Sequence, residues 1–244
     1  WELHFAWSDL EYLANTTTSD LVRQGAWGGM MIAAATNGTW TQFQPFIENL
    51  DEIHRISVLK SLGWVQHDTV RRNLTPLIRD ALSSAPDSPQ FQAAMAAAGV
   101  LGSEFTDRIL SMAQNSANSA ESRFAAIAAL DQLEKLPAEL TVQKLRIQAA
   151  DFALSPEKLE VKPGLPVEIN FRNATETPLT LTLLQSTSEI VEPGQSTILH
   201  VFAPGTPGDS PIKASDDRFT AIFHVIDPTP PPPPPETEEE EAAE

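Results

Sequence analysis

The sequence predicts two folded parts of different class, a short right-handed α-solenoid and then a β-sandwich, with a polar tail after them. Three observations predict this. Apolar residues recur at three- and four-residue spacing from Ser19 to about Leu145, which is the period of a helix face. From about Arg146 they alternate one by one between turn signals, as half-buried strands do. From Pro228 the chain reads PTPPPPPPETEEEEAAE, a stretch with nothing to place in a core. The expected division is 1–145 for the solenoid, 146–227 for the sandwich and 228–244 for a disordered Pro/Glu-rich tail.

The helical elements follow in order. Ser19-Asp20 caps a helix through Met30 to Ala35, which Asn37-Gly38 ends. Further helices are expected from Trp40 to Asn49, from the N-cap Asp51 to Trp64, and from Asp68 to Ser83, where Ala85-Pro86-Asp87-Ser88-Pro89 breaks the chain. Pro89–Leu101, Ser103–Gln114, Ala120–Leu133 and Thr141–Ala150 complete the set. The aromatic lead Trp1-Glu-Leu-His-Phe-Ala-Trp7 is expected to pack against the first repeat.

The helices repeat one pattern. Arg23-Gln-Gly-Ala-Trp-Gly-Gly-Met30, Arg55-Ile-Ser-Val-Leu-Lys-Ser-Leu62 and Arg123-Phe-Ala-Ala-Ile-Ala-Ala-Leu130 share a leading Arg, small or apolar residues inside and a larger apolar residue at the end. Gln92-Ala-Ala-Met-Ala-Ala-Ala-Gly99 fits with Gln at the Arg place. Such units bury their apolar faces by stacking on their neighbours. The repeat resembles HEAT-like helical hairpins.

Strands are expected around Ile147, Ala149, Phe152 and Leu154, then at Leu159–Gly164, Val167–Phe171, Thr180–Leu184, Ser196–Phe202 and Phe219–Ile226. Pro163-Gly164, Asn173-Ala174, Pro193-Gly194, Pro207-Gly208 and Asp216-Asp217 mark the turns between them. The ordered run Phe152-Ala-Leu-Ser-Pro156, Leu159–Gly164, Val167–Asn173, Val191-Glu-Pro-Gly-Gln-Ser196, Phe202-Ala-Pro204 and Pro207-Gly-Asp209 resembles a cupredoxin of the azurin and auracyanin-like group. The resemblance covers about Arg146–Asp227 and implies a cupredoxin-like Greek-key β-sandwich.

It also implies a copper site of two His, one Cys and usually a Met, because soft thiolate with imidazole holds both redox states. The residues here do not supply it. Leu179 stands about where the first His falls, Ala214 is the nearest match to the Cys, Phe219 or a gap meets the second His, and no Met follows Met112. His200 and His224 sit inside alternating strands and are expected to be half-exposed strand residues. The expectation is a cupredoxin-like domain without copper ligands, retained for its shape; copper held through an unorthodox set is a weaker alternative. In the helical half, Leu21–Ala34, Trp40 and Leu50–Arg55 look like the HEAT-repeat stretch of large secreted proteins of planctomycetes and verrucomicrobia. Those proteins carry a propeller resembling quinone-dependent sugar dehydrogenases, then HEAT repeats, and often a c-type haem or cupredoxin module.

Composition bounds the function. The chain has 244 residues, 41% of them hydrophobic, enough for a core. Lys+Arg 16 against Asp+Glu 33 gives a formal net charge of -17, which disfavours nucleic acid and anionic lipid as partners. No apolar run approaches the roughly 20 residues of a membrane span. Cys is absent, so disulfides, thiolate metal sites and Cys-x-x-Cys-His haem attachment are excluded. Trp1 opens without an initiator Met or a basic-then-apolar leader, so a processed or excised piece is expected. The tail reads as a solvated linker, or alternatively as a docking motif for an SH3-like partner. Four Asn-x-Thr sequences, at Asn15, Asn37, Asn73 and Asn173, are read as chance.

No catalytic, cofactor-binding or metal residue is assigned. His4, His54 and His67 form no His-x-x-x-His pair, no Gly-x-Ser-x-Gly elbow occurs, and no Gly-rich phosphate loop is present. Carboxylate pairs such as Asp51-Glu52 and Asp216-Asp217 read as caps and turns. Trp27 is assigned to packing. Five residues are set apart for interaction: Trp40 and Trp64 near helix ends as core or anchors, and Arg23, Arg55 and Arg123 as a ladder that binds inter-repeat carbonyls and nearby acids or grips an acidic ligand.

The expected function is a non-enzymatic protein-interaction or scaffold module of an exported protein, periplasmic or extracellular by resemblance. Its partner is expected to be a protein, an envelope oxidoreductase being one candidate, with no cofactor, no nucleic acid and no membrane span. The rival is the C-terminal accessory part of a propeller-type, quinone- or haem-linked sugar oxidoreductase whose active site lies upstream.

Overall fold

A computed structural model describes residues 7–228, so the predicted tail beyond Pro228 and the aromatic lead before Trp7 lie outside the described residues. The chain forms two compact units that divide between Thr141 and Val142.

The first unit has eight α-helices among the described residues: α1 (Trp7–Thr16), α2 (Asp20–Thr36), α3 (Trp40–Glu48), α4 (Glu52–Ser61), α5 (Asp68–Ala81), α6 (Pro89–Leu101), α7 (Thr106–Gln114) and α8 (Ala120–Gln132). Local chemistry sets their starts. The Asp51 carboxylate accepts the His54 N–H at the head of α4, the Ser88 hydroxyl accepts the Phe91 N–H ahead of Pro89 in α6, and the Ser119 hydroxyl accepts the Ser122 N–H in α8. Each cap satisfies an amide that the helix itself leaves without a partner.

The four repeated octads fall on α2, α4, α6 and α8, and these helices pack side by side in that order. Their small residues allow it. Ala94, Ala97 and Ala98 of α6 and Ala126 and Ala129 of α8 are buried, and a Cβ added at Gly99 would stand 2.9 Å from the Ala129 Cα. The other helices lie on this row, α1 and α3 on α2, α5 on α6 and α7 on α8.

The second unit is a sandwich of nine strands: β1 (Gln143–Ala150), β2 (Ala153–Ser155), β3 (Lys158–Val161), β4 (Pro166–Asn173), β5 (Leu181–Leu183), β6 (Ser186–Thr187), β7 (Ser196–Phe202), β8 (Gly208–Ala214) and β9 (Thr220–Val225). One sheet runs β2-β1-β4-β7, the other β3-β9-β8-β5-β6. Two pairs are parallel, β1 with β4 and β3 with β9, and the remaining ladders are antiparallel. Alternation buries Val167, Ile169 and Phe171 of β4 against Ala221, Phe223 and Val225 of β9 in one core. The two sheets enclose one core, a β-sandwich as the predicted fold class has it.

Several segments differ from the sequence reading, among them the unexpected short strand β6, which pairs with β5. The helix expected over Thr141–Ala150 is strand β1: Val142, Leu145 and Ala149 keep helical spacing, but Leu145, Ile147 and Ala149 also alternate, and pairing with β2 and β4 decides for the strand. A helix not expected, α1, forms at Trp7–Thr16 with Trp7, Leu10 and Ala14 on its inner side. Strand β8 is also new, since Gly208-Asp-Ser-Pro211 has the composition of a turn. Pro211 is tolerated there because β5 pairs only with Ile212 to Ala214, leaving β8 an edge on that side at Pro211.

Candidate functional site

Leu179, Ala214 and Phe219, set against copper ligands by sequence, come together at one end of the sandwich. Leu179 follows the loop after β4 and bridges Val191, its N–H donating to the Val191 carbonyl at 3.1 Å and its carbonyl accepting the Val191 N–H at 2.8 Å. Ala214 closes β8, and its N–H donates to the Phe219 carbonyl at 3.0 Å. The two loops are joined, because the Ser215 N–H donates to the Thr180 carbonyl at 3.0 Å and the Thr180 N–H to the Ser215 hydroxyl at 3.1 Å. Leu179, Ala214 and Phe219 are all buried and belong to the sandwich core.

This donor set does not fit copper. Leucine, alanine and phenylalanine offer no lone pair to a metal, and the chain has no thiol. Among the described residues no group of three His, Cys, Asp or Glu side chains is gathered as a metal site requires. The two histidines of this unit are partly buried strand residues. His224 Nδ1 lies 2.5 Å from Asp209 Oδ1, its cross-strand partner in β8. His200 is in β7, on the other sheet.

The end is ordered by polar residues that sequence reasoning treated only as turn signals. Asn173 is fully buried; its Nδ2 donates to the Thr177 and Val191 carbonyls at 2.8 Å each, and its Oδ1 accepts from the Thr175 N–H and hydroxyl at 3.0 and 2.7 Å. Both donors and both acceptor sites of the amide are thus used. In the neighbouring loop Asp216 accepts from Arg218, which lowers the Asp216 pKa to about 2.

In the helical unit each arginine of the predicted ladder is engaged within the chain. Arg23 pairs with Asp20 at 2.6 Å and donates to the Thr17 carbonyl at 2.8 Å. Arg55 pairs with Asp80 at 3.1 Å, and Arg123 donates to the Ala113 carbonyl at 2.9 Å while burial pushes its pKa down. Arg71 and Arg108 do the same to the Val65 and Leu82 carbonyls. Arg23, Arg71, Arg108 and Arg123 share a guanidinium that reaches a carbonyl near a preceding helix end, where carbonyls lack partners within their own helix, whereas Arg55 takes a carboxylate.

The structure brings Trp40 and Arg55 together in the wall of one cavity of about 200 Å³, with Asp80 and Glu48 beside them. Trp64 lies elsewhere: it is 45% exposed, yet its ring covers Gly28, where an added Cβ would stand 2.0 Å from Cη2. Trp27 is buried, as the packing assignment expects. A larger cavity, about 550 Å³, opens between α1 and α3 and is walled by Trp7, Trp27, Phe43 and Phe46. The aromatic spacing alone could not reveal it, because its walls come from four helices.

No protein-family model matches this chain, and no curated relative matches it. Among solved structures it is similar to a dithionite-reduced auracyanin of Roseiflexus castenholzii, at 13% identity and a TM-score of 0.32 over 34% of this chain and 97% of that one. It is also similar to auracyanin A, a "blue" copper protein of Chloroflexus aurantiacus, at 12% identity and a TM-score of 0.32 over 35% of this chain and 100% of that one. A third is the metal-binding domain of the Cu(I)-exporting ATPase CopA of Streptococcus pneumoniae, at 20% identity and a TM-score of 0.30 over 35% and 87% of the two chains. No helix among the described residues is long and apolar enough to cross a membrane.

Proposed function

We propose that this chain is a non-enzymatic scaffold or protein-interaction module, in which HEAT-like helical hairpins accompany a cupredoxin-like domain that has lost its copper site. One observation carries the loss. At the end of the sandwich where two loops are still held by the Thr180–Ser215 bonds, the positions matched to copper ligands are filled by Leu179, Ala214 and Phe219, packed into the core. A scaffold kept while its ligands are replaced by well-packed apolar residues fits a role in shape rather than in electron transfer.

The repeated octads on the packed row α2, α4, α6 and α8 support the HEAT-like reading of the first unit. Such stacked hairpins present an extended surface to a partner. The cavity shared by Trp40 and Arg55 is the contact we assign to that partner, a protein of the periplasm or extracellular space, with an envelope oxidoreductase the first candidate.

Two measurements test this. Titration of the full chain with Cu(II), followed by calorimetry and visible absorption, is expected to give neither stoichiometric binding nor an intense band; either one at one equivalent would overturn the loss of the site. For the interaction, the full chain immobilised in an envelope extract is expected to retain a partner that Trp40→Ala and Arg55→Ala release. Equal retention by both variants would remove the assigned contact.

A further inference from the structure

The cavity between α1 and α3 has a chemistry of its own. Its volume, about 550 Å³, is that of a small-molecule site. Phe43 stands at the centre of its aromatic wall. Trp7 meets the Phe43 ring edge-on at 5.3 Å, Phe46 stacks on it at 6.3 Å, and Trp27 lies tilted at 6.3 Å. Phe46 is 53% exposed, so apolar ring surface faces the opening. Two carboxylates, Glu11 and Asp51, line the same cavity, and among the described residues lining it there is no lysine or arginine.

These features select a cation. Aromatic faces carry negative potential and attract positive charge within about 6 Å of the ring centroid. The Asp51 carboxyl is held below its usual pKa, first by the His54 N–H that it caps, so it stays ionised at neutral pH. An anion would meet two carboxylates, and the one lining group able to carry positive charge, the His54 imidazole, is already bonded to Asp51 at 2.7 Å. A primary ammonium is strongly hydrated and loses that water when placed among rings. A quaternary ammonium spreads its charge over methyl groups and has no N–H to satisfy, so ring faces are its natural surroundings.

We propose that the cleft between α1 and α3 is a binding site for a small quaternary-ammonium compound, for which choline is the probe. This is independent of the scaffold reading and of the fate of the copper site.

The test titrates the full chain with choline and follows tryptophan fluorescence, with calorimetry as a second readout. A saturable response is expected. The neutral carbon isostere of choline, in which a quaternary carbon replaces the nitrogen, is expected to bind about tenfold more weakly, because it keeps the shape and loses the charge. Phe46→Ala and Glu11→Gln alter exposed side chains, so unchanged circular dichroism with an affinity for choline about three- to tenfold lower is expected. Equal binding of the isostere, or full affinity in both variants, would overturn the proposal. So would the absence of any saturable response to choline, or a response to glucose in its place. Phosphatidylcholine vesicles are expected to leave the fluorescence unchanged; a response to vesicles without one to free choline would assign the site to a lipid surface instead and end the small-molecule reading.

Discussion

Asp216 and Arg218 show how a few side chains organise the end of the sandwich. Arg218 donates from Nε at 3.0 Å and from Nη2 at 2.5 Å to the Asp216 carboxylate, and its own backbone N–H adds a third bond at 3.1 Å. Its guanidinium also lies 4.8 Å from the centroid of the Phe152 ring. Phe152 is 68% exposed and sits in the β1–β2 hairpin with φ +65, a left-handed conformation that costs a non-glycine residue about 1 kcal/mol. The arginine therefore links a charged turn to a strained aromatic one. The hydrogen bonds from Arg218 hold the Asp216 pKa at about 2, below the roughly 3.9 of an unfolded aspartate. With the folded value depressed, the stabilisation is fully present above about pH 4 and is lost as pH falls through about 2. Carboxyl chemical shifts followed by NMR should place the Asp216 midpoint near that low value, and Arg218→Gln should move it up toward the ordinary range. A midpoint indifferent to Arg218 would show that the pairing does not exist in solution.

Between elements, α6 and α8 approach closely at Gly99, where even a methyl group would press on the backbone of Ala129. Gly99→Leu gains helix propensity but forces the two helices apart, and overpacking of this kind costs on the order of 2 kcal/mol. Urea unfolding monitored by far-UV circular dichroism should show a lower midpoint at unchanged m, equivalent to a loss of about that free energy. A variant as stable as the parent would mean that α6 and α8 are not in contact along this face. Much of this level was legible in the sequence. Asp51 marks a helix start because a short polar side chain suits the free amides of a first turn; Ser19 stands at another start without bonding an amide, and the caps Ser88 and Ser119 were not read from the sequence. The octads marked α2, α4, α6 and α8 because stacking demands small residues at fixed places. Strand β8 was illegible because only Ile212 and Ala214 of its residues are buried and pairing supplies the rest. That Leu179, Ala214 and Phe219 fall at one end of the sandwich follows from the order of strands and turns. The cleft could not be read that way, because Glu11, Trp27, Phe43 and Asp51 are brought together only by the packing of α1, α3 and the start of α4 on α2.

Across the whole molecule, charge is the dominant long-range quantity. Thirty-three acidic residues face sixteen basic ones, for a formal net charge of -17. Acids therefore outnumber the cations that could pair with them, and the remaining interactions among exposed carboxylates are repulsive in the compact state. Several of the ion pairs that do form join near neighbours in sequence, as Asp20 with Arg23, Lys158 with Glu160 and Asp216 with Arg218; Arg55 with Asp80 reaches farther. Exposed pairs of this kind contribute little to stability, about 0–1 kcal/mol each. Salt weakens both terms, but repulsion spread over many charges extends further than contact pairs and is screened over a Debye length of about 10 Å at 0.1 M. Raising sodium chloride from ~20 to ~300 mM should then raise the melting temperature by a few degrees, on the order of 1 kcal/mol. Scanning calorimetry reads this directly. A melting temperature that falls with salt would mean that the local pairs outweigh the acidic excess, and that the surface is held together by its charges rather than opposed by them.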